Sequence, residues 1–186
     1  MSDSLIEGLK AGEEKAFRQL VENWQDRVYN TCWGFLRNDE DAEDMAQEVF
    51  MEVYRSVGKF EAQAQIGTWL YRIAVNKSLE LIRSRKRKKR FAFLLSFSSD
   101  TPFTEPHSTD HPGVILENRE RAGLLFQAME KLPESQRTAF TLHKVEGLSY
   151  VEVGEIMHQS VSSVESLMVR AKKNLQKYLA DYYQKK

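Results

Sequence analysis

The sequence has a single cysteine, Cys32, so no intramolecular disulfide can form. Its place in an apolar helical stripe makes it a core thiol rather than a redox sensor. Proline is scarce: there are four, and Pro102, Pro106 and Pro112 fall in one stretch, SSDTPFTEPHSTDHPG. That stretch has no hydrophobic period and reads as a linker, with helical patterns on either side. No apolar run approaches the roughly 20 residues a membrane-crossing helix needs, and no signal peptide opens the chain. A cytoplasmic location is therefore expected. Net charge is also lacking, because 27 Lys/Arg balance 27 Asp/Glu over 186 residues. Spread evenly, that balance would argue against a nucleic-acid partner.

The charge is segregated, however. Residues 1–65 carry seven basic against fourteen acidic side chains, while residues 66–91 carry nine against one. Residues 92–116 hold three acids and no base, and residues 117–186 hold eleven bases against nine acids. An acidic first third beside a basic helix points to two different partners.

The stretch from Ile66 to Arg90, IGTWLYRIAVNKSLELIRSRKRKKR, reads as one helix with two incompatible faces. At about 100° per residue, Leu70, Tyr71, Ala74, Val75, Ser78, Leu81 and Ile82 share an arc wide enough to bury, with Thr68 as the N-cap. Trp69, Arg72, Asn76 and Arg83 fall on the other side. An indole beside a guanidinium and an amide suits an unpaired base, by stacking and by reading a base edge. A tryptophan half-sunk in the core and capped by polar neighbours fits the same pattern. The run RSRKRKKR, Arg83 to Arg90, would add phosphate contacts to that face. The segment before it, KFEAQAQIG, either connects two helices or walls a pocket for one extruded base.

Upstream, residues 13–36 place Phe17, Leu20, Trp24, Val28, Cys32 and Phe35 at helical spacing. From Asp39 to Val57 a second stripe follows: Ala42, Met45, Ala46, Val49, Phe50, Val53, Tyr54 and Val57. Asp41, Asp44, Glu48 and Glu52 lie on another side, with Gln47 nearby, and Gly58 ends the helix. The helix dipole and an Asn38 or Asp39 cap account for the first acids but not for Glu48 or Glu52. With no lysine at i+4 to neutralise it, the carboxylate run reads as a docking face for a basic partner. Residues 91–97, FAFLLSF, either extend the core or form a sticky patch, and packing is the favoured reading. His107 and His111 near Asp110 sit in a poor metal cage, so no metal or cofactor is expected.

In the last third, Leu124, Leu125, Ala128, Met129 and Leu132 form an apolar face that ends at Pro133. Pro133 opens a helix from Glu134 to Val145, which Gly147 closes. Ser149 with Glu152 is a capping box for a short helix through Met157. After the turn HQS, a longer helix from Val161 to Tyr178 completes a helix-turn-helix. In such a motif Ser162, Ser163, Glu165, Ser166 and Arg170 would meet base edges, and Lys172, Lys173 and Lys177 would meet phosphates. Val164, Leu167, Met168, Ala171 and Leu175 read as packing, although Leu167 or Val169 could touch a thymine methyl. An ordinary helical bundle is the alternative.

DAEDMAQEVFMEVY followed by TWLYRIAVN and an arginine-rich helix end resembles the second region of bacterial RNA polymerase sigma factors of the extracytoplasmic-function class. LPESQRTAFTLHKVEGLSYVEVGEIM followed by VSSVESLMVRAKKNL resembles the fourth region of the same class. The resemblance implies that Asp41, Asp44, Gln47 and Glu48 dock on the polymerase largest subunit. It implies that the loop from Phe60 to Gly67, with Trp69, Arg72 and Asn76, melts and captures the minus-ten element, and that the part resembling the fourth region reads the minus-thirty-five element. The chain departs from the family at Ile66, where an aromatic is common, at His158, where glycine is common, and at Glu165 and Leu167, where basic residues are common. The expected fold is all-α, two small helical domains joined by a flexible linker: residues 1–95, linker 96–116, and a helix-turn-helix domain 117–186. The expected partners are core RNA polymerase, promoter DNA and, through the family, an anti-sigma factor. No catalysis is expected, since the acids between Asp41 and Glu52 face outward without a clustered metal site or nucleophile. A stand-alone helix-turn-helix regulator is the alternative function.

Overall fold

The computed structural model describes residues 3–60, 65–95 and 116–183, with side chains at 4–60, 65–91 and 122–180. Residues 96–115 of the predicted linker and the segment 61–64 lie outside the described residues; the linker's last residue, Leu116, is helical. Two compact units divide the chain, Met1–His107 and Ser108–Lys186. Every regular element among the described residues is helical.

The first unit contains α1 (Asp3–Lys10), α2 (Glu14–Leu36), α3 (Asp39–Ser56) and α4 (Ile66–Leu95). Most of the predicted core is buried: Leu20, Trp24, Val28, Cys32 and Phe35 from α2, Ala42, Val49, Phe50 and Val53 from α3, and Leu70, Tyr71, Ala74, Val75 and Ser78 from α4. Phe17, Met45, Ala46, Leu81 and Ile82 are half-buried, whereas Leu79, not predicted, is buried. Sequence reasoning missed α1, which is too short to show a period but seals the base of α2 with Leu5 and Leu9. There Gly8 lies so close to Ala16 that an added Cβ would sit 2.9 Å from its methyl.

Local chemistry sets the turns. Asn38 is the cap of α3, its Oδ1 accepting from the Asp41 N–H at 2.9 Å. Asp39 instead accepts from Trp33 Nε1 at 2.8 Å and from the Tyr29 hydroxyl at 3.1 Å, tying α2 to the start of α3. Burial, followed by Asp39, raises the Tyr29 phenol pKa. Gly58 does not end α3; it sits within a 3₁₀ turn, Val57–Lys59, that brings Phe60 back under the unit. Tyr54, predicted in the apolar stripe, is 62% exposed, because only its edge meets Phe17. Phe91 is 66% exposed, so the favoured packing of FAFLLSF fails at its first residue. The side chains of Phe93, Leu94 and Leu95, and all of Phe97, lie outside the described residues.

The second unit contains α5 (Leu116–Glu130), α6 (Glu134–Phe140), α7 (Tyr150–Met157) and α8 (Val161–Tyr183). The helix opened by Pro133 widens at Phe140 into a π turn, Thr141–Val145, and Gly147 closes it with φ +72°. The capping box of α7 forms as expected: Ser149 N–H donates to Glu152 Oε2 at 2.8 Å, and Ser149 Oγ accepts from the Glu152 N–H at 3.3 Å. α7 ends at His158, held at φ +53°, and the Gln159 N–H closes the turn on the Gly154 carbonyl at 2.9 Å. Any Cβ on Gly154 would lie 2.7 Å from the Gln159 carbonyl oxygen, which makes glycine a condition of so tight a turn. Sequence reasoning did not single out that residue. Val164, Leu167, Met168, Ala171 and Leu175 of α8 are buried as expected. Asn174 Nδ2 donates to the buried Gln136 at 2.8 Å, joining α8 to α6.

Left-handed backbone costs an L-residue about 1 kcal/mol that glycine escapes. His158→Gly is therefore expected to raise the melting temperature of the second unit by several degrees, read by calorimetry of the full chain. The Ser149 hydroxyl and N–H hold the Glu152 carboxyl below its ordinary pKa of 4.5. That stabilisation is present above the ordinary value and is lost as pH falls through the lowered one. Ser149→Ala should cost about 1 kcal/mol near neutrality. The gap from wild type should narrow as the pH is taken down through the lowered value in parallel denaturant titrations.

Candidate nucleic-acid interface

Helix α4 begins at Ile66, three residues earlier than a Thr68 cap implies. The Trp69 N–H bonds the Gln65 carbonyl at 3.2 Å, so Thr68 lies inside the first turn, where it is buried, and is not the cap. The predicted outer face forms as one stripe: Trp69 and Arg72 half-buried, Asn76 and Arg83 exposed. Both readings of Trp69 are partly met, for its ring is neither free nor in the core. It packs on Phe60, with centroids 4.9 Å apart and planes tilted by 37°. Phe60 itself is buried, so as a direct DNA contact it is corrected here: its ring backs the indole instead. Glu80, exposed and on the same stripe, is an acid that sequence reasoning left unassigned.

The carboxylates of α3 divide into two sets. Asp41 is held by Arg85 of α4 in a two-pronged pair, Nη1 to Oδ2 and Nη2 to Oδ1, both 2.5 Å, and keeps 18% of its side chain exposed. The hydrogen bond to Asp41 raises the pKa of Arg85. Lys77 of α4 lies 3.7 Å from Glu48 and 3.5 Å from Glu52. The run has no lysine at i+4, as the sequence shows, but the neighbouring helix supplies cations to Asp41, Glu48 and Glu52 in its place. Asp44 and Gln47 remain exposed. They share their outward stripe with Met51 and Tyr54, 45% and 62% exposed, which sequence reasoning did not place there.

In the second unit, Ser162, Glu165, Ser166, Val169, Arg170, Lys172 and Lys173 line the exposed side of α8, polar at the start and cationic further on. Ser160 caps this helix, its Oγ accepting from the Ser163 N–H at 3.2 Å. Ser163 is thus half-buried and shares a hydroxyl contact with Ser160, which leaves less of it to present outward. Arg170 Nε folds back to the Ser166 carbonyl at 3.1 Å while the residue stays exposed. Of the two apolar candidates for a thymine methyl, Leu167 is buried and Val169 is 67% exposed, so Val169 alone can reach a groove.

One unit has a short helix, a tight glycine-dependent turn and a longer helix with a polar and cationic outer face; the other has an acidic helix, α3, and an aromatic and cationic one, α4. Residues 20–88 match the family described as Sigma-70 region 2, and residues 122–175 match Sigma-70, region 4. The ECF RNA polymerase sigma factor SigW of Bacillus subtilis (strain 168) is 32% identical over 180 residues, 95% of each chain. The chain belongs to the extracytoplasmic-function class of RNA polymerase sigma factors. Two solved structures share the fold. CnrH in complex with the cytosolic domain of CnrY has a TM-score of 0.68 at 21% identity, over 95% of this chain and 96% of that one. The sigma factor RpoE, in complex with the anti-sigma factor NepR, from Bartonella quintana, has a TM-score of 0.63 at 22% identity, over 89% and 98%.

As a sigma factor, the protein directs core RNA polymerase to promoters. Both faces of the first unit, α3 and most of α4, lie within the match to region 2, and the turn with the exposed start of α8 lies within the match to region 4. The cross-helix pairs are a feature of this sigma factor that sequence alone did not show. A two-pronged but partly exposed pair of this kind is worth on the order of 1 kcal/mol. A double-mutant cycle on Asp41→Ala and Arg85→Ala in urea is expected to return that coupling, reduced at high salt; additive losses would show that the pair contributes nothing.

Proposed function

We propose that this sigma factor divides promoter recognition and polymerase docking among three surfaces. Trp69, Arg72, Asn76 and Arg83 of α4 hold the unwound minus-ten element, by stacking, base-edge contact and phosphate contact in turn. Phe60 stiffens Trp69 from behind. Ser162, Glu165, Ser166 and Arg170, with Ser163 at the rim, meet bases of the duplex minus-thirty-five element, and Lys172 and Lys173 meet its phosphates. Asp44 and Gln47 dock on the polymerase directly, and Glu48 and Asp41 join them at the edge nearest α4. The protein performs no chemistry of its own and acts in the cytoplasm. Among the described residues no helix is long and apolar enough to cross a membrane. An anti-sigma factor is a further partner, in line with the fold shared with RpoE bound to NepR.

The observation that carries this reading is the sidedness of α4. Its buried arc and its ion-paired cations Lys77 and Arg85 face the rest of the unit, which leaves Trp69, Asn76 and Arg83 on the open side. A stand-alone helix-turn-helix regulator would have no use for such a face. Stacking of one base is worth about 1–3 kcal/mol, roughly tenfold to a hundredfold in an equilibrium constant. Trp69→Ala is therefore expected to lower open-complex formation by about that factor in reconstituted run-off transcription, with affinity for core polymerase within twofold of wild type. Equal loss of both would sink the assignment, and tight duplex binding by the chain alone would favour the regulator.

A further inference from the structure

The DNA-facing stripe of α4 can work only if the start of that helix is held at one height and one rotation, and the structure shows what holds it. Trp24 of α2 is buried and lays its six-membered ring against the backbone of Gly67. A Cβ on Gly67 would overlap the ring tip and stand 3.0 Å from the next ring carbon. The same indole meets Tyr71 edge-on, with centroids 5.9 Å apart, and carries the Arg27 guanidinium 5.1 Å from its centroid. Trp24 Nε1 is buried with no hydrogen-bond partner among the described residues. The indole is thus kept in place by shape, not by a polar bond. Gly67 is followed by buried Thr68 and then by Trp69, so the wedge acts two residues away from the proposed base-stacking ring.

We infer that Trp24 and Gly67 form a positioning joint that sets the height of α4, and with it the placement of Trp69, Arg72 and Asn76 against unwound promoter DNA. Neither residue touches DNA. The inference rests on the proposed role of the α4 face. A methyl at 67 must push either the helix start, which carries Trp69 with it, or the rigid indole, which packs on Tyr71 and so on the same helix. Displacements of about 1 Å at a recognition site are enough to weaken it markedly.

The test uses the full chain with core RNA polymerase and, as template, the genomic fragment most active in wild-type run-off transcription. That fragment is offered as duplex and with its minus-ten segment already unpaired. The duplex-to-unpaired activity ratio does not depend on how much of a variant is folded, so a merely destabilised protein leaves it unchanged. Gly67→Ala is expected to lower the ratio at least tenfold. Trp24→Phe, which keeps an aromatic edge on Tyr71 but removes the outer ring atoms that rest on Gly67, should lower the ratio as well, by less than Gly67→Ala does. The double variant Trp24→Phe with Gly67→Ala should recover most of the ratio. An unchanged ratio for Gly67→Ala, or a loss that Trp24→Phe fails to relieve, overturns the joint. Should Trp69→Ala leave that ratio untouched, it is the role of the α4 face that falls instead.

Discussion

The packing of α3 against α4 is the constraint on which the first unit depends. A helix that carries Trp69, Asn76 and seven cations between Arg83 and Arg90 would be poorly oriented if its apolar arc were its only anchor. Hydrophobic burial is strong but non-directional, and it tolerates rotation of a cylinder by some degrees. The two cross-helix connections, Arg85 on Asp41 and Lys77 between Glu48 and Glu52, add direction. They lie more than two turns apart along α4 and so oppose both rolling and splaying. Being partly exposed, each contributes little energy, and their value is angular.

This arrangement also explains how one helix can be acidic on two sides for different reasons. Asp41, Glu48 and Glu52 answer the cations of α4, whereas Asp44 faces solvent beside Gln47, Met51 and Tyr54. A surface that combines a carboxylate, an amide and two large apolar side chains suits a protein partner better than a purely acidic one would. Apolar area supplies the affinity there and the charge supplies the register.

Much of this was legible in the sequence, and the exceptions share a cause. The buried arcs of α2, α3, α4 and α8 were read correctly because periodicity at 3.6 residues is a property of the segment itself. The capping box at Ser149 and Glu152 and the glycine stop at 147 were legible for the same reason. What escaped depends on two segments at once. The partners of Asp41 and Glu48 lie on another helix, the burial of Phe60 depends on Trp69, and Gly154 matters only because the Gln159 carbonyl comes back upon it. Tyr54 and Phe91 failed differently. Tyr54 lies at the margin of its stripe, touched by Phe17 but otherwise open, and Phe91 follows the cationic run with its side chain exposed. His158 shows the reverse case: its departure from glycine was visible, but that the position needs positive φ came only from the backbone.

Zero net charge then becomes informative rather than neutral. A sigma factor with an unpaired cationic excess would spread itself over non-specific DNA, because phosphate contacts carry no sequence information and dominate affinity. Here the acids of the first third balance the basic helix in net charge, in part by direct pairing with Lys77 and Arg85, and at more than a Debye length of about 8 Å duplex senses little of either sign. Duplex far from polymerase thus meets a chain with little overall attraction for it. Once the chain is anchored, the same cations act at the effective concentration that tethering provides. In the proposed reading, the segregation of charge would make DNA contact conditional on the company the protein keeps, without any moving part.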